Sequence, residues 1–367
     1  MKILLVSHSA QPGGSNTTIA SLLQHRPADA DCSIVFLENG PVLGQLRALG
    51  YPAALVDAGR AREAWRAPGV VGALRRAITA HRADVVFAHV TKAHLYASAA
   101  ARLARVPYLW WQHERRSQKP IMHLLSGWLP ADAVICSSDW TAAEQRAPKG
   151  GRVWTIHPGA ELDPAPRRHS HRAGADGPVV IGVVGRLQRW KRVELALQTM
   201  RIVLQREPQA RMRVIGGATP GLDEGYDGEL RRLVYELEIE NAVDFVGHAD
   251  DVDAELAELD ILLHTAQAEP FGLVLVESMA RAVPVVAVAE GGPTEIVRPG
   301  EDGLLCDDDP AGLAEAVLNL ARDPERRAAM GERARERALK GFGATRMADE
   351  AWALVRSVAS DKGAQAR

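Results

Sequence analysis

Two spacings alternate along this chain. Short, almost wholly apolar runs such as Lys2 to His8 are each followed by a stretch whose apolar positions recur every three or four residues, as at Ile19, Leu22 and Leu23. The first spacing predicts strands buried on both faces, and the second predicts amphipathic helices. Ser33 to Glu38, Val85 to His89, Val106 to Trp111 and Ala133 to Ser138 continue the strand series, with alanine-rich helical stretches between them. Repeated βα units mean a mostly parallel sheet with helices on both faces.

The alternation breaks after His157-Pro158-Gly159. Residues 164–178 are polar and rich in Pro, Gly and Arg, with little that could build a core, and they are expected to form a linker. The pattern restarts with a strand from Val179 to Gly185 and a long helix near 191–206. Further strands are expected at Arg211 to Ile215, Val243 to Val246, Asp260 to His264 and Val283 to Ala289, then helices around 310–321, 324–338 and 345–356. With 367 residues the chain exceeds one core of typical size. The expected organisation is an N-terminal α/β domain over 1–163, the linker 164–178, and a second α/β domain over 179–343. A helix within 344–367 can return to the first domain, and the tail from Ser360 is expected to fray.

Composition narrows the function classes. Lys and Arg total 44 against 46 Asp and Glu, a net charge of -2 that gives no general reason to bind nucleic acid. Cys32, Cys136 and Cys306 are odd in number and form no Cys-x-x-Cys pair, so buried reduced thiols in the cytosol are expected. The apolar run at the N-terminus is too short for a secretory signal, and no stretch approaches the roughly 20 apolar residues of a membrane span. The expected setting is cytoplasmic, soluble, with peripheral contact at the inner membrane face left open.

Polar residues gather where strands end, which is where parallel α/β sheets bind ligands. Gly185 to Lys191 joins a strand to a helix, with Arg186 and Lys191 able to bring positive charge to a diphosphate. The alternative is a pair of exposed cations at a helix start, with Trp190 packing. In Glu269-Pro270-Phe271-Gly272-Leu273-Val274-Leu275-Val276-Glu277, a helix is expected to begin near Gly272. Glu269 then lies in the preceding loop and Glu277 on an early turn. Both can accept hydrogen bonds from sugar hydroxyls, and the free N–H groups of the helix start can hold an anionic oxygen. Glu277 can equally be a carboxylate that merely complements the helix dipole. Gly13 and Gly14 follow the first strand, where the backbone can approach a phosphate or sugar, and Asn16 can cap the next helix or line an acceptor cleft. No Walker A sequence, complete dinucleotide fingerprint, compact His-x-x-x-His set or Asp-x-Asp element is present, so no metal site is expected.

Taken in order, Gly13-Gly14, Gly185 to Lys191, Glu269 to Glu277, Gly291-Gly292-Pro293-Thr294-Glu295 and Asp302-Gly303-Leu304-Leu305 resemble the GT-B glycosyltransferases of family 4, the glycosyl transferases group 1 family. The resemblance runs nearly the full length and is stronger after residue 178. It implies a GT-B architecture, two Rossmann-like domains facing an interdomain cleft, and retaining transfer of a hexose-like group from a nucleotide-diphosphate sugar, UDP- or GDP-linked, to an acceptor hydroxyl. Arg186 and Lys191 would hold the donor diphosphate, Glu269 the sugar hydroxyls and Glu277 the ribose. Backbone at Phe271, Gly272 and Leu273 would complete the donor pocket, with Gly13, Gly14, Gly185, Gly216 and His248 around it. His113 would reach the reacting sugar, the alternative being a satisfied strand-end histidine; His89 and Arg115 could line the acceptor cleft, or else be a structural histidine and part of a solvated charge cluster. No cofactor or divalent metal is expected; the partners would be the nucleotide sugar and a glycan, lipid-linked glycan or small natural product, with no nucleic acid. A nucleotide-sugar epimerase or hydrolase, or a non-catalytic nucleotide-sugar binding protein, is the alternative.

Overall fold

The structure is a computed structural model that describes residues 1–59, 63–114, 125–145, 151–162, 177–218 and 223–365. The chain divides into two compact units. Unit 1 is Met1–Glu161 together with Ala344–Arg367, and unit 2 is Leu162–Gly343.

The described residues of unit 1 form seven strands: β1 (Lys2–Ser7), β2 (Asp31–Phe36), β3 (Ala53–Leu55), β4 (Val85–His89), β5 (Tyr108–Gln112), β6 (Ala133–Cys136) and β7 (Arg152–Thr155). They lie in the order β3-β2-β1-β4-β5-β6-β7, and every pairing is parallel. The period of two along each strand divides the core into two layers. Ile3, Leu5, Phe36, Phe87 and Trp111 face one side with Ile19 and Leu22, whereas Leu4, Val6, Val86 and Trp110 face the other with Leu74 and Ala97. Because both faces are covered, β1, β4, β5 and β6 are apolar nearly throughout, which is why they were visible in the sequence.

The Ala344–Gln365 helix belongs to the first of these layers. Met347, Ala351, Trp352 and Val355 are buried there, and the Trp352 Nε1–H donates to the Leu22 carbonyl at 3.1 Å. The backbone is helical through Gln365.

Unit 2 holds β8 (Val180–Val184), β9 (Arg211–Ile215), β10 (Val243–Gly247), β11 (Ile261–His264), β12 (Val285–Val288) and β13 (Gly303–Cys306), in the parallel order β10-β9-β8-β11-β12-β13. In both sheets the first strand of the unit lies beside the fourth, and the chain order reverses there: β1 beside β4 in unit 1, β8 beside β11 in unit 2. Helices leave to opposite faces on the two sides of such a point, so a crevice opens at the carboxyl ends of those strands. The expected linker lies almost wholly in residues 163–176, outside the described residues. Among the described residues, no helix is long and apolar enough to cross a membrane.

Candidate functional site

In unit 2 the reversal point is where β8 and β11 end. Gly185 leaves β8, a single 3-10 turn spans Arg189–Lys191, and the helix Val193–Arg206 follows. On the neighbouring strand, β11 ends at His264 and its loop carries Glu269. The two loops are tied together. Gln267 N–H donates to the Trp190 carbonyl at 2.9 Å, and the Thr265 hydroxyl lies 3.0 Å from the Lys191 carbonyl. Lys191 Nζ consequently meets Glu269 Oε2 at 2.5 Å and lies 4.3 Å from the centre of the Trp190 ring. Gly185, Lys191, His264 and Thr265 line a small cavity with Val183, Val193 and Val214.

Glu269 is 6% exposed. Burial works to raise its pKa, but Lys191 and then His264 overcome that and hold it at about 2. Arg186 is exposed at the same strand end; crowding by protein lowers its pKa, and the Glu269 carboxylate opposes that shift. The site thus offers two cations around one buried anion.

Close backbone approaches hold this arrangement. Gly216 follows β9 with φ +137°, and a Cβ there would stand 1.9 Å from the Gly185 carbonyl oxygen. Gly292 N–H donates to the Glu269 carbonyl at 2.8 Å, and a Cβ on Gly292 would fall 2.2 Å from the Phe271 carbonyl oxygen. Phe271 itself is buried, 5.9 Å from the Phe342 ring centre, so any part it plays toward a ligand is through its backbone. Gly272 precedes the helix Leu273–Ala280 in the left-handed region, and no side chain caps that helix start. Glu277 lies half-buried on its second turn. Burial, reinforced by Asp253 and opposed by Arg281, pushes its pKa up to about 7. Arg281 is engaged by Asp253 at 2.5 Å. His248 is exposed, with its backbone beside Gly217.

In unit 1 the corresponding point lies between β1 and β4. Gly13 is extended with open space where a Cβ would go, so its conformation does not demand glycine. It opens the helix Gly14–Gln24. Asn16 is buried and its amide is engaged within the loop: Nδ2 donates to the Ser9 and Gln11 carbonyls at 2.7 and 2.6 Å, and Oδ1 accepts from the Ser7 hydroxyl at 3.1 Å. Asn16 braces the Gly13-Gly14 loop from beneath. Arg115 lies outside the described residues.

β5 and β6 end in register, which sets His113 level with Ser137, while His89 lies opposite Trp111, two residues back on the neighbouring β4, so the three side chains form a row. Ser137 Oγ lies 3.2 Å from the Gln112 carbonyl and 3.1 Å from His113 Nδ1, and His113 Nε2 lies 3.3 Å from His89 Nδ1. Counting protons gives one consistent order. The hydroxyl donates to Gln112, His113 Nδ1–H donates to the hydroxyl, and His89 Nδ1–H donates to His113 Nε2. Burial holds His113 neutral, down at about 3, and lowers His89 well below its usual value. Both ring nitrogens of His113 are therefore engaged within unit 1, and a ligand reaching it would meet the ring edge. Val90, next to His89, has φ +72° and ψ 151°, a conformation costly for a β-branched residue and of the kind that concentrates at functional sites. Among the described residues, no group of three or more His, Cys, Asp or Glu side chains is placed to hold a metal ion.

The structure thus brings Gly185, Arg186, Lys191, Gly216 and Glu269 together, sets Glu277 farther along the next helix, and joins His89 to His113. Sequence reasoning missed His264 and Ser137. Each is the polar residue at the end of an apolar run, a signal shared by many strand ends that bind nothing.

Comparison with known proteins gives a consistent result. Residues 12–164 match the family model described as Glycosyltransferase Family 4, and residues 167–337 match Glycosyl transferases group 1. D-inositol 3-phosphate glycosyltransferase 2 of Catenulispora acidiphila is 35% identical over 234 residues, 59% of this chain and 54% of that protein. N-acetyl-alpha-D-glucosaminyl L-malate synthase of Bacillus anthracis is 41% identical over 112 residues, 30% of this chain and 29% of that protein. The matches thus span about half, or less, of these relatives' lengths. Among solved structures, Anabaena HepE in complex with UDP-glucose is 25% identical with a TM-score of 0.84, covering 97% of this chain and 100% of that one. Sucrose-phosphate synthase from Thermosynechococcus elongatus, 21% identical with a TM-score of 0.79 over 98% of this chain and all of that one, shares the fold.

Proposed function

Since the chain belongs to the glycosyl transferases group 1 family, with a glycosyltransferase family 4 N-terminal half, we propose that it transfers a sugar from a nucleotide-diphosphate donor to an acceptor hydroxyl with retention of anomeric configuration. The observation that carries this reading is the set of Arg186, Lys191 and Glu269 at the β8/β11 reversal point. Arg186 and Lys191 neutralise the diphosphate and the charge that grows on it as the glycosidic bond breaks, the interaction that lowers a barrier most directly. Glu269 accepts hydrogen bonds from sugar hydroxyls, and Glu277 from the ribose. These two cations supply the positive charge, so the proposal needs no divalent ion. A UDP-sugar is the preferred donor, supported by the UDP-glucose complex of HepE.

Retention follows if the acceptor attacks the face the diphosphate is leaving, through a short-lived ion pair, with the departing phosphate taking the acceptor proton. His113, neutral and tautomerically fixed, is the positioning group proposed for unit 1. The acceptor belongs to unit 1. The curated relatives' names specify D-inositol 3-phosphate and L-malate, both hydroxyl-bearing anions, which makes that class the first to try.

The deciding experiment incubates the protein with a panel of UDP- and GDP-sugars and hydroxyl acceptors including inositol phosphates and hydroxy acids, with and without EDTA. Mass spectrometry detects transfer and NMR assigns the anomer. An α-linked product from an α-linked donor, unaffected by EDTA, is expected. Donor consumption without a new glycoside means a hydrolase or epimerase, binding without turnover means a binding protein, and an inverted product removes the retaining route.

A further inference from the structure

The carboxylate of Glu269 is held unevenly. Both neighbours that approach it, Lys191 Nζ at 2.5 Å and His264 Nε2 at 3.3 Å, approach the same oxygen, Oε2. Among the described residues, none hydrogen-bonds Oε1. The backbone on either side is fixed, since Gly292 N–H takes the Glu269 carbonyl and the neighbouring Ala268 N–H donates to Glu290 Oε2 at 2.9 Å. The side chain is thus tethered by one oxygen and presents the other.

The two tethers differ. Lys191 is a flexible ammonium whose proposed duty is the donor diphosphate, so it leaves Oε2, wholly or in part, when that ligand arrives. His264 is 4% exposed, rigid at the end of β11, and its Nε2 is a buried polar atom without an aligned hydrogen-bond partner. A buried polar atom left unmatched costs stability and calls for a reason. Its distance from Oε2 falls short of a made bond only in alignment, and a small turn of the carboxylate would complete it.

We infer that His264 is a positioning residue for the donor site: its Nε2–H takes over Glu269 Oε2 as Lys191 turns to the diphosphate, so that Oε1 stays aimed at a hydroxyl of the donor sugar. The inference rests on the donor reading above. It gives the orphaned nitrogen its partner in the ligand-bound state, and it keeps a buried anion partnered as its nearest cation turns away.

The test uses the full chain, with UDP and UDP-glucose as probes in calorimetry. His264→Leu should bind UDP within about twofold of the parent and UDP-glucose about tenfold more weakly, the loss of roughly one hydrogen bond. His264→Gln, which keeps a donor at similar reach, should restore UDP-glucose binding to within about threefold of the parent. Equal losses for the two probes, or no loss for UDP-glucose, overturn the positioning role. If His264→Leu does not fold, His264→Gln against the shorter His264→Asn decides the question, since only the first should bind UDP-glucose like the parent. A parent that binds neither probe removes the UDP-sugar reading on which the inference rests, and a Glu269→Gln variant that binds UDP-glucose like the parent removes the part given to Glu269.

Discussion

Glu269 and Lys191 each solve a problem the other creates. A carboxylate this buried would take up a proton without a cation beside it, and the ammonium needs the same partner to stay inside the protein. Lys191→Ala should therefore lower stability by about 1–3 kcal/mol, discounted from a fully buried pair because the lysine retains some exposure. Adding Glu269→Gln should recover part of that loss, which a urea-denaturation cycle would read as clear non-additivity. Gly216→Ala tests the close approach at β9: with φ +137° and the Gly185 carbonyl in the way, a loss of about 1–3 kcal/mol is expected, with weaker donor binding. Glu277 carries the opposite sign from Glu269. Its pKa is raised in the fold, so the native protein binds more protons than the unfolded chain between the usual carboxylate range and about pH 7, and stability falls as pH rises through that window. In Glu277→Gln that fall should shrink in melting curves taken from pH 5 to 8. Of the site residues, those in a linear motif were legible: Gly185 to Lys191 and Glu269 to Glu277. His264 and Ser137 were not, because their meaning comes from which strand ends lie side by side, and register is absent from a linear pattern.

Among the elements, the strands that sequence revealed are mostly those buried on both faces, with the edge strand β10 as the exception. β3, β7 and β13 escaped notice for a shared reason. They are sheet edges of three or four residues, β3 and β7 have exposed positions, and β13 begins with a glycine, so none forms a long run buried on both faces. The helix Ala344–Gln365 was legible as a helix, while its place on unit 1 could only be raised as an option, because an apolar stripe does not say which core it covers. Its weight can be measured. Trp352→Ala removes a 3%-exposed ring and the donor to Leu22, and should cost unit 1 about 3–5 kcal/mol, seen as an earlier melting transition.

At the scale of the molecule, the two units answer differently to acid. Among the described residues, unit 1 holds three histidines that burial keeps neutral, with His94 down at about 4 and His113 at about 3 alongside the strongly lowered His89. The unfolded chain charges all three below about pH 6.5, whereas the native unit does not, so unit 1 loses stability as pH falls from there toward 4. In unit 2 the lowered His264 and Glu269 act in that direction too, but Glu277 opposes them. Calorimetry at pH 7.5 and 5.5 should find two transitions, with that of unit 1 displaced further downward by acid.

The helix that closes unit 1 lies downstream of all of unit 2 in the chain. During synthesis, the first 161 residues therefore leave the ribosome without the piece that covers Ile19 and Leu22, and wait for some 200 more. At about 5–20 residues per second, that is about 10–40 s with an apolar face open to water. Unit 2 is contiguous and can complete itself within that interval. The order of birth is thus the reverse of the order of maturity: the half made first is finished last. A nascent chain halted just after residue 343 should carry a protease-resistant unit 2 attached to a readily cleaved unit 1.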